Sequence, residues 1–442
     1  MSVPAKPSLG HAPTPDRSRT GRAAPDIDGP RMLGRLAEVS RFGAHPGGGI
    51  TRTGLSRQET AAHGYLAGQC RSDGLLTRTD QAGNLIVRRP GVDPGKPVVL
   101  LGSHLDTVAN GGHLDGAYGV VAACEVLGVL ARTGAELACE PVAIAFTNEE
   151  GAHYAYPFLG SSALVGGVDV AYADALTDPA GLPLRQALRR AGGDLDTIND
   201  AAWPPGSIAC YLELHIEQGP LLEARGIPIG VVDSIIGRTI LDVTVEGAQG
   251  HAGTTPMELR HDALTVAARA VLAVQRVAAR SRLCAVATVG VLTPHPNVTN
   301  VIPGRVSLTA EIRDGDPHRL RTAEQALRTE LARLATATDT AIGISSRPVT
   351  QPVATSRLAR HAITRAAREL GLPHLALDSG AGHDAQIVAR VAPVGMIFVP
   401  SRRGISHAPQ EHTDRQHLIA GARTLLRSLS NLPVPRLARA GA

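Results

Sequence analysis

Histidines and carboxylates that could bind metal ions come at or just after predicted buried strands of this sequence. Apolar runs predict such strands over residues 98–101, 142–146, 211–216 and 394–399. The metal-binding residue types near their carboxyl ends are His104, Asp115, Glu149, Glu150, His215 and His407. Because open α/β sheets form their sites at the carboxyl ends of strands, we expect these side chains to converge.

Imidazole and carboxylate ligands suit Zn or Mn. The carboxylate of Asp115 has two oxygens and could bridge two ions. Two ions that share a hydroxide would increase its nucleophilicity. Glu149 and Glu150 are adjacent but need not share a role, since neighbouring side chains in a loop can point differently. One could bind metal while the other moves protons. The pattern predicts a two-metal hydrolytic site.

Each of these residues also has an ordinary structural interpretation. Asp115 could cap a helix that begins near Gly116. His104 and His215 could be hydrogen-bonded histidines at strand ends, and paired glutamates in a loop are commonly solvated. The joint placement of all these residues at strand ends favours the functional interpretation.

The predicted strands and helices that would position these metal-binding residues indicate an α/β fold with two domains. Short apolar runs alternate with longer amphipathic segments, except over 237–346, where strands alternate strictly and Asp262 is a plausible helix N-cap. That segment predicts the order βαββαβ, a ferredoxin-like insertion. We therefore expect a catalytic domain over 26–236 and 347–435, an inserted domain over 237–346, and a disordered tail over 1–25, which is rich in Pro, Ser, Gly and Arg.

Composition limits the partners. A chain of 442 residues with 43% apolar residues can build two cores. A net charge of +4 and 2% aromatic residues do not favour nucleic-acid binding, and there is no apolar run long enough for a membrane span or a signal peptide. Five scattered cysteines favour a reducing, cytoplasmic location.

Three long motifs are specific enough to indicate a family. They are Gly-Ser-His-Leu-Asp-Thr-Val from Gly102, Glu-Leu-His-Ile-Glu-Gln-Gly-Pro from Glu213, and Gly-His-Ala-Gly-Thr-Thr-Pro-Met from Gly250. With them the chain resembles the hydantoinase/carbamoylase-type amidohydrolases of the aminoacylase-like zinc peptidase superfamily. The resemblance implies a zinc-exopeptidase-like catalytic domain with a mixed sheet, and an inserted lid and dimerisation domain. It also implies hydrolysis of the ureido C–N bond of N-carbamoyl-L-amino acids, allantoate or N-carbamoyl-β-alanine, releasing ammonia and CO2.

The same resemblance implies roles for individual residues. His104, Asp115 and His215 would hold one ion, and Asp115, Glu150 and His407 a second, with Zn, Mn or Co as the metal. Glu149 would be the general base. The implied substrate-binding residues are Gln218, His251, Asn300 and Arg313, and His251 would reach the active site of the partner subunit in a homodimer and stabilise the oxyanion.

Some roles have alternatives that the residues leave open. Arg313 falls on the polar face of a predicted strand, where it could bind a carboxylate with two hydrogen bonds or pair with Glu311 or Asp314. His251 could belong to an ordinary polar loop. For the whole chain, the alternatives are an aminoacylase or dipeptidase acting on ordinary amides, and a non-catalytic metabolite-binding protein.

Overall fold

The computed structural model describes residues 25–91, 96–347 and 350–433. The predicted disordered tail, residues 1–25, therefore lies outside the described residues except for Pro25. Within the described residues, no helix combines the length and the apolar character needed to cross a bilayer.

The chain alternates strands and helices over most of its length. The strands are β1 (Leu76–Thr79), β2 (Leu85–Arg88), β3 (Val98–His104), β4 (Glu140–Phe146), β5 (Ile208–Ile216), β6 (Ile229–Ile235), β7 (Gly237–Glu246), β8 (Gly250–His251), β9 (Val286–His295), β10 (Val301–Ile302), β11 (Arg305–Asp314), β12 (Ala341–Ser346), β13 (Val353–Ala354), β14 (His374–Ser379) and β15 (Val394–Val399). The α-helices are α1 (Gly29–Val39), α2 (Arg57–Ser72), α3 (Ala117–Thr133), α4 (Leu159–Leu164), α5 (Val170–Asp174), α6 (Leu184–Arg190), α7 (Leu221–Arg225), α8 (Ala263–Ala279), α9 (Pro317–Thr338), α10 (Arg357–Glu369), α11 (Asp384–Val388) and α12 (Arg415–Asn431).

The larger sheet has nine strands in the order β1-β2-β4-β3-β5-β15-β6-β13, with β14 paired to β6. Its central neighbours β4, β3, β5 and β15 are mutually parallel, whereas β2 and β6 join them antiparallel. The sheet is therefore mixed, as expected. Because the four central strands run the same way, their carboxyl ends lie along one edge.

Both faces of this sheet are covered, which explains why its central strands are mostly apolar and almost wholly buried. Every residue of β4 is buried, as are those of β3 from Val99 to His104. The long helix α3 is apolar almost all round and packs on β3, β4 and β5. The helix ends at Thr133, and the next residue, Gly134, has a left-handed conformation (φ 60°) that suits a residue without a side chain.

A second sheet has four antiparallel strands in the order β12-β7-β11-β9. One face is buried under α8 and α9 and has its own apolar core, which contains Leu241, Val243, Leu308 and Leu327. As predicted, Asp262 caps α8 by accepting hydrogen bonds from the backbone N–H groups of Leu264 and Thr265. The edge strand β9 is mostly exposed.

Candidate metal centre

Two groups of candidate ligands meet at the side chain of Asp115. On one side, Oδ1 of Asp115 lies 3.0 Å from Nε2 of His215 and 3.6 Å from Nε2 of His104. On the other, Oδ2 lies 3.0 Å from Nε2 of His407, which is 3.3 Å from Oε1 of Glu150. Each group offers three ligand atoms within 4.8 Å of one another. The five predicted ligands are thus brought together, with Asp115 common to both groups.

The two buried histidines are oriented by backbone carbonyl groups. His104 is the last residue of β3, and its Nδ1 lies 3.0 Å from the carbonyl oxygen of Asp106. His215 lies near the end of β5, and its Nδ1 is 2.8 Å from the carbonyl oxygen of Ile216. Because a carbonyl oxygen only accepts, each ring donates from Nδ1, which leaves Nε2, the nitrogen that faces Asp115, as the atom that could bind a metal ion.

Asp115 does not serve as a helix cap. The N-cap of α3 is Gly116, and no side chain caps this end of the helix. The loop is instead held by Glu411, whose Oε1 accepts hydrogen bonds from the backbone N–H groups of Leu114 and Asp115 at 2.7 and 3.1 Å. The carboxylate of Asp115 makes no capping bond to this helix and faces the histidines instead, so the capping interpretation is wrong.

Glu149 and Glu150 follow β4 on a tight turn. Asn148 adopts a left-handed conformation (φ 53°), and the next two backbone N–H groups donate to the two carboxylate oxygens of Asp106, at 3.0 and 3.1 Å. This contact separates the neighbouring side chains: Glu150 faces His407, whereas Oε2 of Glu149 lies 3.7 Å from Nε2 of His104. Different roles for the two are geometrically possible.

Several carboxylates are buried together around Asp115, and their mutual repulsion and loss of solvation are unfavourable. Burial and the neighbouring charge of Asp115 raise the pKa of Glu150 to about 7, and burial raises that of Glu149 well above its usual range. For Asp115, burial is outweighed by contacts with His104, His215 and His407, which hold its pKa well below the ordinary value. A contact with Asp115 raises the pKa of His407 to about 9. Bound cations can replace these protons.

A cavity of about 260 Å³ opens over the cluster, and some of the predicted substrate-binding residues line it. Gln218 does, and its Nε2 donates to Oδ2 of Asp115 at 2.7 Å while its buried Oε1 has no partner among the described residues. Arg313 also lines the cavity; its side chain contacts Glu311 and donates to the carbonyl oxygen of Gly380 at 2.8 Å. His383 does too, and its Nε2 is 2.8 Å from Oγ of Ser379.

His251 and Asn300 are not among the residues that line this cavity. Both are exposed, and they lie on either side of the short β8–β10 ladder, where the N–H of Ala252 donates to the carbonyl oxygen of Asn300. His153, which follows the ligand motif, points elsewhere and lies 3.2 Å from Asp178. The single chain therefore brings together every predicted site residue except His251 and Asn300.

Sequence reasoning missed the residues that hold the ligands in place. Asp106 had a signal, since it stands two positions after His104 in the first motif. Glu411 had none, because its contacts with the Asp115 loop join positions nearly 300 residues apart. Glu213 and Ser406 complete this set. Glu213 accepts from Oγ of Ser103, and Oγ of Ser406 lies 2.8 Å from Oε2 of Glu411 and 3.1 Å from Oδ2 of Asp115, with one proton to donate to either.

A mixed α/β sheet whose parallel strand ends present two ligand groups around one carboxylate defines a metal-dependent hydrolase. Residues 100–431 match the peptidase family M20/M25/M40. The N-carbamoyl-L-amino acid amidohydrolase of Geobacillus stearothermophilus is 37% identical over 406 residues, which cover 92% of this chain and 99% of that protein. The allantoate amidohydrolase of Escherichia coli K12 is 37% identical over 400 residues, covering 90% and 96%.

Among solved structures, an amidase of the hydantoinase/carbamoylase family from Burkholderia multivorans superposes with a TM-score of 0.86 at 35% identity, covering 93% of this chain and 100% of that one. The chain belongs to the peptidase family M20/M25/M40, and the two relatives described above are named as amidohydrolases. The resemblance seen in the motifs is confirmed.

Proposed function

We propose that this protein hydrolyses the ureido C–N bond of N-carbamoyl-L-amino acids or related ureido acids such as allantoate and N-carbamoyl-β-alanine, releasing ammonia and CO2. The names of the relatives support a ureido substrate. The observation that carries the proposal is the position of Asp115 between two groups of ligand atoms, with Glu149 beside one of them.

Two divalent ions per subunit, Zn, Mn or Co, are the proposed cofactors. The donor atoms fit them, because they are imidazole nitrogens and carboxylate oxygens, and the Nδ1 contacts of His104 and His215 leave Nε2 available. His104, Asp115 and His215 would hold one ion, and Asp115, Glu150 and His407 the other. When bound, such ions polarise a carbonyl group and lower the pKa of water.

Glu149 is the proposed proton carrier. Burial raises the pKa of Glu149 well above its usual range, which favours its protonated form after it has taken a proton from the attacking water, and the proton then passes to the departing nitrogen. The backbone hydrogen bond to Asp106 fixes the start of its side chain over the cavity. Departure of ammonia leaves a carbamate, which decays to CO2 and the free amine.

Gln218 and Arg313 would orient the substrate. The unpaired Oε1 of Gln218 is available to accept from a ureido N–H, since Nε2 is already engaged by Asp115. Arg313 can bind the substrate carboxylate with parallel hydrogen bonds, which would compete with its present contact with Glu311. These roles agree with the position of both side chains in the cavity wall.

The inserted domain, residues 237–346, would form a homodimer and would also close over the substrate. In that homodimer, His251 and Asn300 of one subunit would act in the active site of the other. Within one chain they stand outside the metal cavity, so an oxyanion-binding role needs a second copy. The exposed edge strand β9 offers a surface for it: Val286, Val291 and Leu292 are 49%, 54% and 39% exposed. Unpaired, apolar strand edges are prone to pair with another chain.

The five buried free cysteines agree with the cytoplasmic location that we propose.

The experiment is an ammonia-release assay of the purified protein loaded with Zn, Mn or Co. The substrates are an N-carbamoyl-L-amino acid, N-carbamoyl-β-alanine, allantoate and ureidoglycolate, and the matched controls are N-acetyl-amino acids of the same side chains, assayed for release of the free amino acid. Turnover of at least one ureido acid well above its N-acetyl counterpart is expected. Turnover of the N-acetyl compounds alone would identify an aminoacylase instead.

A further inference from the structure

A second guanidinium stands beside Arg313 in the wall of the metal cavity. Arg238, on β7, lies directly opposite Arg313 of β11 in the antiparallel register, and both side chains line the cavity of about 260 Å³. Like charges in directly opposite positions of a sheet destabilise it unless an anion lies between them. This pair therefore needs negative charge nearby.

The protein supplies only part of that charge. Glu311 contacts the Nε of Arg313, and its Oε2 is 4.0 Å from Nη1 of Arg238, at the limit of an ion pair. One carboxylate thus serves two guanidiniums. The acidic residues that line the cavity are the candidate ligands Asp115 and Glu150 and the neighbouring Glu149. The wall formed by β7 and β11 keeps a surplus of positive charge.

The backbone fixes Arg238 next to the larger sheet. Its N–H donates to the carbonyl oxygen of Thr350 at 3.0 Å, and the N–H of Thr350 donates back at 3.1 Å. Arg238 and Thr350 also line a neighbouring cavity of about 860 Å³, which contains Arg390 and has no Asp or Glu among the described residues that line it. A group bound at Arg238 therefore has space around it and no repelling carboxylate in this second cavity.

We propose that Arg238 binds a second acidic group of the substrate, so that the preferred substrates are ureido acids carrying a side-chain carboxylate in addition to the one bound by Arg313. The inference rests on the proposed function, and it explains why two opposed arginines face one small cavity. A guanidinium that is 45% exposed in the free protein is solvated until such a carboxylate displaces water from it.

The test compares substrates that differ in charge alone: N-carbamoyl-L-glutamate with N-carbamoyl-L-glutamine, and N-carbamoyl-L-aspartate with N-carbamoyl-L-asparagine. We expect kcat/KM of the wild-type enzyme to favour at least one acid over its amide by about tenfold or more, a typical effect of a charge-assisted hydrogen bond. Arg238→Gln should bring that ratio to within about twofold, mainly through KM of the acid.

Two variants keep the test decisive. Arg238→Lys retains the charge and should keep part of the preference even if Arg238→Gln folds poorly. Arg276→Gln removes an arginine on α8 that pairs with Glu330 at 3.0 Å, away from both cavities, and should leave the preference unchanged. A wild-type enzyme that releases ammonia from acid and amide equally well overturns this inference alone, whereas no release from any ureido compound contradicts the proposed function itself.

Discussion

Oδ1 of Asp106 accepts a hydrogen bond from the backbone N–H of Glu149, at 3.0 Å. Its other oxygen accepts from the next N–H, and its own carbonyl oxygen faces Nδ1 of His104. One residue thus positions a candidate metal ligand and the candidate proton carrier. Asp106 thus joins the two halves of the site: its side chain holds the turn that carries Glu149, and its backbone carbonyl oxygen orients His104.

Replacing Asp106 with alanine keeps the carbonyl oxygen that faces His104 but releases the turn that carries Glu149 and the candidate ligand Glu150, so it should lower both turnover and metal affinity. Loss of residues that orient ligands typically costs 10- to 100-fold in either quantity, and we expect a loss of about that size. Metal titration and steady-state kinetics of Asp106→Ala measure it. The matched control is Asp242→Ala, which removes a half-buried aspartate paired with Arg347 on the four-stranded sheet. Activity and affinity within about twofold of wild type would contradict the positioning role.

The metal content of three variants should show whether Asp115 is shared between two ions. His215→Ala removes a ligand of one group and His407→Ala a ligand of the other, so each variant should lose one of the two ions, whereas Asp115→Ala should lose both. Elemental analysis after dialysis against limiting metal gives the stoichiometry. Chelation of the wild-type protein should abolish ammonia release, and adding the metal back should restore it. Loss of a single ion from Asp115→Ala would show that this carboxylate does not bridge.

Glu149→Gln separates proton transfer from metal binding. The amide cannot accept the proton, and general acid–base groups typically contribute about 10²- to 10⁴-fold, so kcat should fall by that factor. The metal content should stay at the wild-type value, because Glu149 belongs to neither group of candidate ligands. Kinetics and elemental analysis on the same preparation check both expectations. Intact turnover would exclude Glu149 as the proton carrier.

Strand positions and ligand types, which depend on the local sequence pattern, could be predicted. Contacts between residues far apart in the chain could not. The strand predicted over 394–399 is β15 with the same bounds, since Pro393 and Pro400 flank its apolar run. The strand predicted over 98–101 runs on to His104, because Gly102 and Ser103 are buried by neighbouring strands that no local pattern shows. The ligand types were visible because they recur at strand ends. Glu411 was not, because only the fold brings it to Asp115.

His63, on α2, should make the stability of the protein depend on pH. Burial lowers the pKa of its imidazole to about 4, and the neighbouring charge of Asp106 offsets this only in part. The unfolded chain has the ordinary value near 6.5, so it binds the proton more tightly than the folded protein does. The contribution to stability is therefore complete above pH 6.5 or so and is lost as the pH falls towards about 4.

The measurement is the free energy of unfolding in denaturant, taken from about pH 7 to pH 4 for wild type and His63→Gln. The difference between the two curves isolates His63 from the buried carboxylates, which titrate in both proteins. Wild type should lose up to about 3 kcal/mol more than the variant over this range. Parallel curves would show that His63 is not buried as a neutral ring.

The homodimer can be tested by mixing two inactive proteins. Glu149→Gln lacks the proton carrier but keeps His251, whereas His251→Ala lacks the oxyanion donor but keeps Glu149. If His251 serves the partner's site, each hybrid dimer has one site with both residues intact and one with neither. Refolding or subunit exchange of an equal mixture should then restore about a quarter of wild-type activity, since half of the dimers are hybrids and half of their sites are complete. If His251 instead served its own subunit, no site in any dimer would be complete, and the mixture would stay as inactive as its parts.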